Sequence, residues 1–184
     1  MPELRLAEHI RTDDAPYGVW KKQQLITLTS GMYGIKTDYH YITADVAALI
    51  ERLHINVVGC GYDNHNAGAF LSDLEGILDC DLTDVKQSAR NLNDVTRDFQ
   101  LSVEAGQVRY DKNNGLLTWS VLNAIISEPN SFGEIKVDKQ TQKNRIDPVD
   151  AIIDAWKVGV VRIQSAKAAT DDMLDDYLAS VNTN

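Results

Sequence analysis

An α/β fold, with helices covering a sheet, is predicted for this 184-residue chain by two observations. Short apolar, β-branched runs alternate with amphipathic helical stretches through its middle. One of those runs, Ile55-Asn-Val-Val-Gly-Cys-Gly61, follows a helical stretch directly, which is how a strand of a buried parallel sheet reads.

Taken in order, Arg5 to Lys22 reads as a polar helical stretch interrupted near Ala15-Pro16. Gln24-Leu-Ile-Thr-Leu-Thr29 alternates like a strand and stops at Ser30-Gly31. Thr43 is the predicted N-cap of a helix that carries Val46, Leu49, Ile50 and Leu53 at helical spacing up to His54. The Ile55–Gly61 strand comes next, then the loop Asp63-Asn-His-Asn, then a helix with Phe70, Leu71, Leu74, Ile77 and Leu78 on one side. Leu82 to Gln87 is a second core strand. Val95 to Ala105 is a helix ending at Gly106, a common helix stop. A short strand at Gln107–Tyr110 and a turn at Asn113-Asn-Gly115 precede a helix over Leu116–Ile126, with Leu117, Val121 and Ala124 inward. Ser127 to Asp138 reads as a hairpin or extended excursion. Pro148 then opens a helix burying Val149, Ile152, Ile153, Trp156 and Val160, and Thr170 to Asn184 is an acidic helix or tail.

Composition narrows the function. No window holds the ~18 apolar residues of a membrane span, and the N-terminus lacks the apolar core of a signal peptide. Cys60 and Cys80 have neither a disulfide framework nor zinc-type spacing, so a reducing cytoplasm is expected. A net charge of -9 excludes a strongly basic nucleic-acid binder, but not a nucleic-acid enzyme that works through metal ions. The absence of a GxxxxGK[ST] loop argues against ATP hydrolysis by these residues.

Two acidic positions have the local setting of a metal site. Asp63 follows an apolar strand, and in α/β sheets ligands collect beyond the carboxyl ends of strands. A plain turn between strand and helix explains the same residue. Asp147, just before Pro148, is a ready N-cap; Asp150 and Asp154 share roughly its face. These three are either a solvated side or an oxygen-ligand cluster for Mg²⁺ or Mn²⁺. Lys136, Lys139, Lys143 and Arg145 lead into Asp147 within ten residues. That is a basic arm suited to backbone phosphate, or else an exposed surface hairpin.

Several segments together resemble the C-terminal nuclease domain of tailed-phage large terminase subunits. Asp13-Asp-Ala-Pro-Tyr-Gly-Val-Trp20 followed by Leu25-Ile-Thr-Leu-Thr-Ser-Gly31 is similar to that domain's entry, and Tyr62-Asp-Asn-His-Asn-Ala67 to its Tyr-Asp-Pro-x-Asn-Ala loop. Leu101-Ser-Val-Glu-Ala-Gly-Gln-Val-Arg-Tyr110 resembles a further family segment, and Leu117-Thr-Trp-Ser-Val-Leu-Asn123 its Leu-x-Trp-x-x-x-Asn. Gly133-Glu-Ile-Lys136, Lys139 and Arg145-Ile-Asp147 fall on its Gly-Asn-x-Lys, Lys and Lys-Ile-Asp positions. The order holds from about Glu3 to Ile163.

The resemblance implies an RNase H-like mixed sheet flanked by helices and divalent-metal cleavage of concatemeric double-stranded DNA during packaging in the host cytoplasm. Asp63 and Asp147 take the places of the second and third family aspartates, with Asn123, Lys136 and Lys139 near the active face. Implied partners are the terminase ATPase domain, the small subunit and the portal. The family's first metal-binding aspartate, on an opening strand, has no counterpart, since Asp13 and Asp14 sit in a polar helix-loop region. The expectation is therefore a nuclease-like domain over 1–165, truncated at its N-terminal hairpin, with an acidic tail or helix over 166–184. It would be a fragment, a split gene product or a decayed prophage copy, with weak or absent cleavage by this chain alone. A catalytically inactive binding or assembly module is the alternative.

Overall fold

The computed structural model describes residues 1–30, 35–65 and 68–181, so Gly31, Asn66, Ala67 and the last three residues of the expected tail lie outside the described residues. A 3₁₀ turn (Glu3–Arg5) leads into α1 (Leu6–Thr12) and α2 (Tyr17–Lys22), separated at Asp13–Pro16 much as the sequence predicts. Then come α3 (Tyr39–Leu53), β1 (Cys60–Tyr62), α4 (Gly68–Glu75), β2 (Leu82–Asp84) and α5 (Ala89–Glu104). The chain continues with α6 (Gly115–Asn123), β3 (Ala124–Ile126), β4 (Val137–Lys139) and α7 (Asp147–Val181). β1 and β2 pair in parallel, with Cys60 opposite Leu82 and Tyr62 opposite Asp84, so both strands end at the same edge. β3 and β4 form the antiparallel hairpin expected around Ser127–Asp138. The predicted α/β class holds.

Several elements differ in detail, each for a physical reason. Gln24–Thr29 forms no strand; Thr29 makes one bridge with Pro2, because the segment alongside it, Met1–Glu3, turns at once into the 3₁₀ turn. The cap of α3 is Asp38, whose carboxylate accepts the His40 N–H, while Thr43 lies inside the helix and donates back to the Tyr39 carbonyl. The helix stops as predicted at His54, which adopts the left-handed conformation. β1 begins only at Cys60 and β2 stops at Asp84, both shorter than the apolar runs that announce them. α5 starts earlier than expected, capped by Ser88, and stops at Glu104, two residues before Gly106, whose φ of 67° suits glycine. Gln107–Tyr110 finds no ladder partner among the described residues and is not a strand. α6 stops at Asn123 because its last residues join the hairpin; Ser120 is its buried residue, while Val121 points out.

Two clusters hold the fold. Val85, Leu92, Val95 and Ile153 are buried together, with Phe99, Val137, Trp156 and Val158 packed on them, joining β2, α5, β4 and α7. Ala15, Tyr17 and Trp20 form the second, against Leu25, Ile26, Leu116 and Trp119. Polar ties fix α7 to its neighbours: Trp156 donates to Asp98 at 2.6 Å and Arg162 to the Val58 carbonyl at 2.7 Å. As expected, Val149 and Ile153 face inward. α7 is one helix from Asp147 to Val181, running through residue 165.

The contact of β1 with α7 leaves no room for a side chain. A Cβ on Gly61 would lie 2.7 Å from the Asp154 carbonyl oxygen, a backbone atom that cannot swing aside. Gly61→Ala is expected to cost about 1–3 kcal/mol and to lower Tm accordingly. Gly159→Ala has open space and a helical setting, so it should raise stability by about 0.5–1 kcal/mol. Thermal denaturation of the two variants should move in opposite directions.

Candidate functional site

Because β1 and β2 are parallel, their carboxyl ends deliver Asp63 and the Asp84–Gln87 segment to one edge, beside the first turns of α7. Asp63 is exposed one residue past β1, and its Oδ1 accepts the His65 N–H at 3.1 Å. The turn that explains Asp63 locally is therefore present, and it engages one carboxylate oxygen.

α7 contributes Asp147, Asp150 and Asp154. The sequence suggests Asp147 as N-cap and Pro148 as first helical residue, yet the helix begins one residue earlier. The Ile146 carbonyl accepts the Asp150 N–H at 3.0 Å, which places Ile146 at the cap and Asp147 in the first turn. Among the described residues the Asp147 carboxylate accepts no hydrogen bond, so capping does not account for its identity. An anion there is still favoured by the helix dipole.

The carboxylates of α7 lie in one another's field. Burial, then the charges of Asp147 and Asp154, push the Asp150 carboxyl up to about 6, against the pull of Lys136. Asp154 is buried; burial also raises its carboxyl, opposed by a 2.9 Å hydrogen bond from Gln87 Nε2 and reinforced by the charge of Asp63. The charge of Asp63 thus acts on Asp154, and that of Asp154 on Asp150. Gln87 also donates to the Val85 carbonyl at 3.0 Å and so ties the exit of β2 to α7.

Of the basic arm, Lys136 faces Asp150, Lys139 is half-buried on β4 and Lys143 is exposed. Arg145 gives one guanidinium nitrogen to Asp13 at 3.2 Å and stays 45% exposed, beside Asp147. Asn123 is part of the scaffold: it donates to the Trp119 carbonyl and accepts from Asn144 on the approach to α7.

Asp13 is 2% exposed. Burial alone would raise its carboxyl, but bonds from Tyr17, Arg145, Thr12 and His9 outweigh that and hold it well below the usual carboxylate range. It has no capacity left for an ion. Sequence reasoning passed over Lys86 and Gln87. Lys86 pairs with Asp84 and lies in the field of Asp63. The available signal was the strand-exit rule that singled out Asp63, applied to the second strand.

The donor set fits Mg²⁺ or Mn²⁺ in kind: hard oxygen ligands whose crowding a divalent ion relieves. The arrangement is open, for among the described residues no three His, Cys, Asp or Glu side chains converge closely enough to hold an ion. No helix among them is long and apolar enough to cross a membrane.

The chain is 27% identical over 178 residues to the terminase large subunit of Enterobacteria phage HK97, covering 96% of this chain and 33% of that protein. Its structure superposes on the crystal structure of the HK97 large terminase with a TM-score of 0.73 and 26% identity, over 86% of this chain and 32% of that one. The chain thus spans about a third of the length of the relative it matches. Residues 1–161 match the family described as terminase large subunit, endonuclease domain, and the chain belongs to that family.

Proposed function

We infer that this chain is a divalent-metal-dependent DNA endonuclease module of a packaging terminase, with Asp63, Asp147 and Asp150 as metal ligands. The observation that carries the reading is the mutual field of the α7 carboxylates and Asp63 at the shared exit of two parallel strands. Mg²⁺ or Mn²⁺ bound there would supply Lewis-acid polarisation of the phosphodiester and neutralise the carboxylates. Asp63 and Asp147 hold the reacting edge from two rigid elements, a strand end and a helix start. Lys136 offsets the charge of a phosphate entering beside Asp150, and Lys139, Lys143 and Arg145 extend that contact along the backbone. Gln87 keeps Asp154 hydrogen-bonded, so α7 presents its carboxylates in fixed register to β1.

Cleavage by this chain alone is slow on this reading. Three ligands do not converge among the described residues, and Asp13 is fully committed to His9, Thr12, Tyr17 and Arg145. Double-stranded DNA is the substrate. The ATPase part, small subunit and portal of a host-cytoplasmic packaging machine are the partners, with residues 1–165 as the nuclease unit and 166–184 as an appended acidic segment. Incubation with supercoiled plasmid and Mn²⁺ tests it. Slow nicking that stops with EDTA and is lost in both Asp63→Ala and Asp147→Ala is expected; nicking that survives both substitutions would refute the assignment.

A further inference from the structure

An open cleft of about 660 Å³ is bounded by the 3₁₀ turn and α1, by the segment leading into α3, and by Arg145, two residues before Asp147. We propose that this cleft is a second DNA contact, in which Arg5, Lys36 and Arg145 hold a backbone phosphate and guide the strand toward Asp147. The proposal rests on the functional reading above.

Charge sign is the first support. In a chain of net charge -9, the cleft gathers Arg5, Lys36 and Arg145 against one lining carboxylate, Glu8. The nearest buried acid, Asp13, is shared by His9, Thr12, Tyr17 and Arg145 and does not line the cleft.

Donor capacity is the second. Arg5 pairs with Glu8 at 2.6 Å and Arg145 with Asp13 at 3.2 Å, each through one nitrogen, and both side chains are nearly half exposed. A guanidinium carries five N–H donors in a fork that matches phosphate oxygens, so both retain donors for a ligand. The existing pairs orient the two guanidinium groups without consuming them. Thr37 adds a hydroxyl to the wall.

Position is the third. Arg145 is two residues before Asp147 and lies in its field, so a phosphate on Arg145 is next to the first carboxylate of α7. Lys136 acts on Asp150 and Arg145 lies in the field of Asp147, so each of these two α7 carboxylates has a cation near it. A phosphodiester chain, with a phosphate at every nucleotide, can engage more than one such cation, whereas an isolated anion engages one.

The test is binding of a fluorescein-labelled duplex of about 20 base pairs to the full chain in EDTA, from about 50 to 200 mM salt, with wild type and Arg5→Glu/Lys36→Glu. The double variant should bind at least about tenfold more weakly at low salt, with the log–log salt slope reduced by about 2, since each lost phosphate contact removes about 0.9. An unchanged slope and affinity in a folded variant would overturn the proposal. Amide NMR of the wild type gives a second reading that needs no substitution: Lys36 and Thr37 should shift with the duplex at micromolar concentrations. No shift with duplex, or equal shifts with inorganic phosphate alone, would also overturn it, the latter marking a free-phosphate pocket. Mn²⁺ binding measured without DNA on Asp63→Ala and Asp147→Ala reports separately on the metal-site reading, so the two failures are distinguishable.

Discussion

Asp147→Ala and Asp63→Ala should each weaken Mn²⁺ binding by at least roughly 100-fold, since loss of a group that only orients a ligand already costs about 10–100-fold. Calorimetric titration reads this directly. The effect is expected to be large because the α7 carboxylates have little cationic relief: among the described residues, Lys136 is the one base among the principal neighbours of Asp150. Binding should also depend on pH in a defined way. The Asp150 carboxyl is raised to about 6, so below that pH an incoming ion must displace its proton, and affinity should climb about tenfold per unit up to pH 6 and then level. Asp150→Asn should flatten that climb. In the metal-free protein the same group acts on stability with the opposite sense to an ordinary paired carboxylate. Its folded pKa exceeds its unfolded value, so the folded state holds more protons between about pH 4 and 6, and stability from this group falls as pH rises through that window.

The second large effect is on stability and comes from Asp13. Asp13→Ala removes a buried acceptor shared by Tyr17 Oη at 2.7 Å, Thr12, His9 and Arg145. Arg145 can be rehydrated because it is half exposed, but the buried Tyr17 hydroxyl cannot. The expected cost is about 3 kcal/mol, at the low end for a broken buried pair, or a Tm lower by roughly 6–12 °C at this chain length. Asp13→Asn, which retains an oxygen acceptor, should lose less. The sign with pH is fixed by the lowered folded pKa: the contribution is complete above the unfolded value near 3.9 and disappears as pH falls through the folded one. The gap in Tm between wild type and Asp13→Asn should be full at about pH 6 and close below about pH 4. A gap that stays constant down to about pH 2 would mean that the charge on Asp13 does not stabilise the fold.

What was legible in the sequence was local. The apolar run before Asp63 announces a strand end, and the Val149–Ile153–Trp156 spacing announces α7, so the two elements carrying the site could be placed from their own residues. Gly106 and His54 stop helices through backbone preferences that act within one turn. The misreadings arose where a partner decides. Among the described residues Gln24–Thr29 has strand chemistry but finds only the Thr29–Pro2 bridge, and Gln107–Tyr110 finds no partner strand. Val121 has an inward helical register by spacing alone, but the hairpin takes over α6's last residues and leaves it exposed. The role of Asp13 depends on Arg145, 132 residues away, and that of Gln87 on Asp154, 67 residues away. No local pattern encodes either tie. The Tyr62–Ala67 and Arg145–Asp147 motifs did indicate the family, because a motif compresses such distant constraints into recognisable positions.

The central claim is that Asp63 and the opening turn of α7 share a divalent cation. Crystals of the chain soaked in Mn²⁺, with anomalous diffraction recorded at the manganese edge, test it most directly. An anomalous peak is expected within about 2.5 Å of carboxylate oxygens from Asp63 and from Asp147 or Asp150. A peak that engages only one of the two elements, or none at this edge while Mn²⁺ sits elsewhere on the molecule, would contradict it.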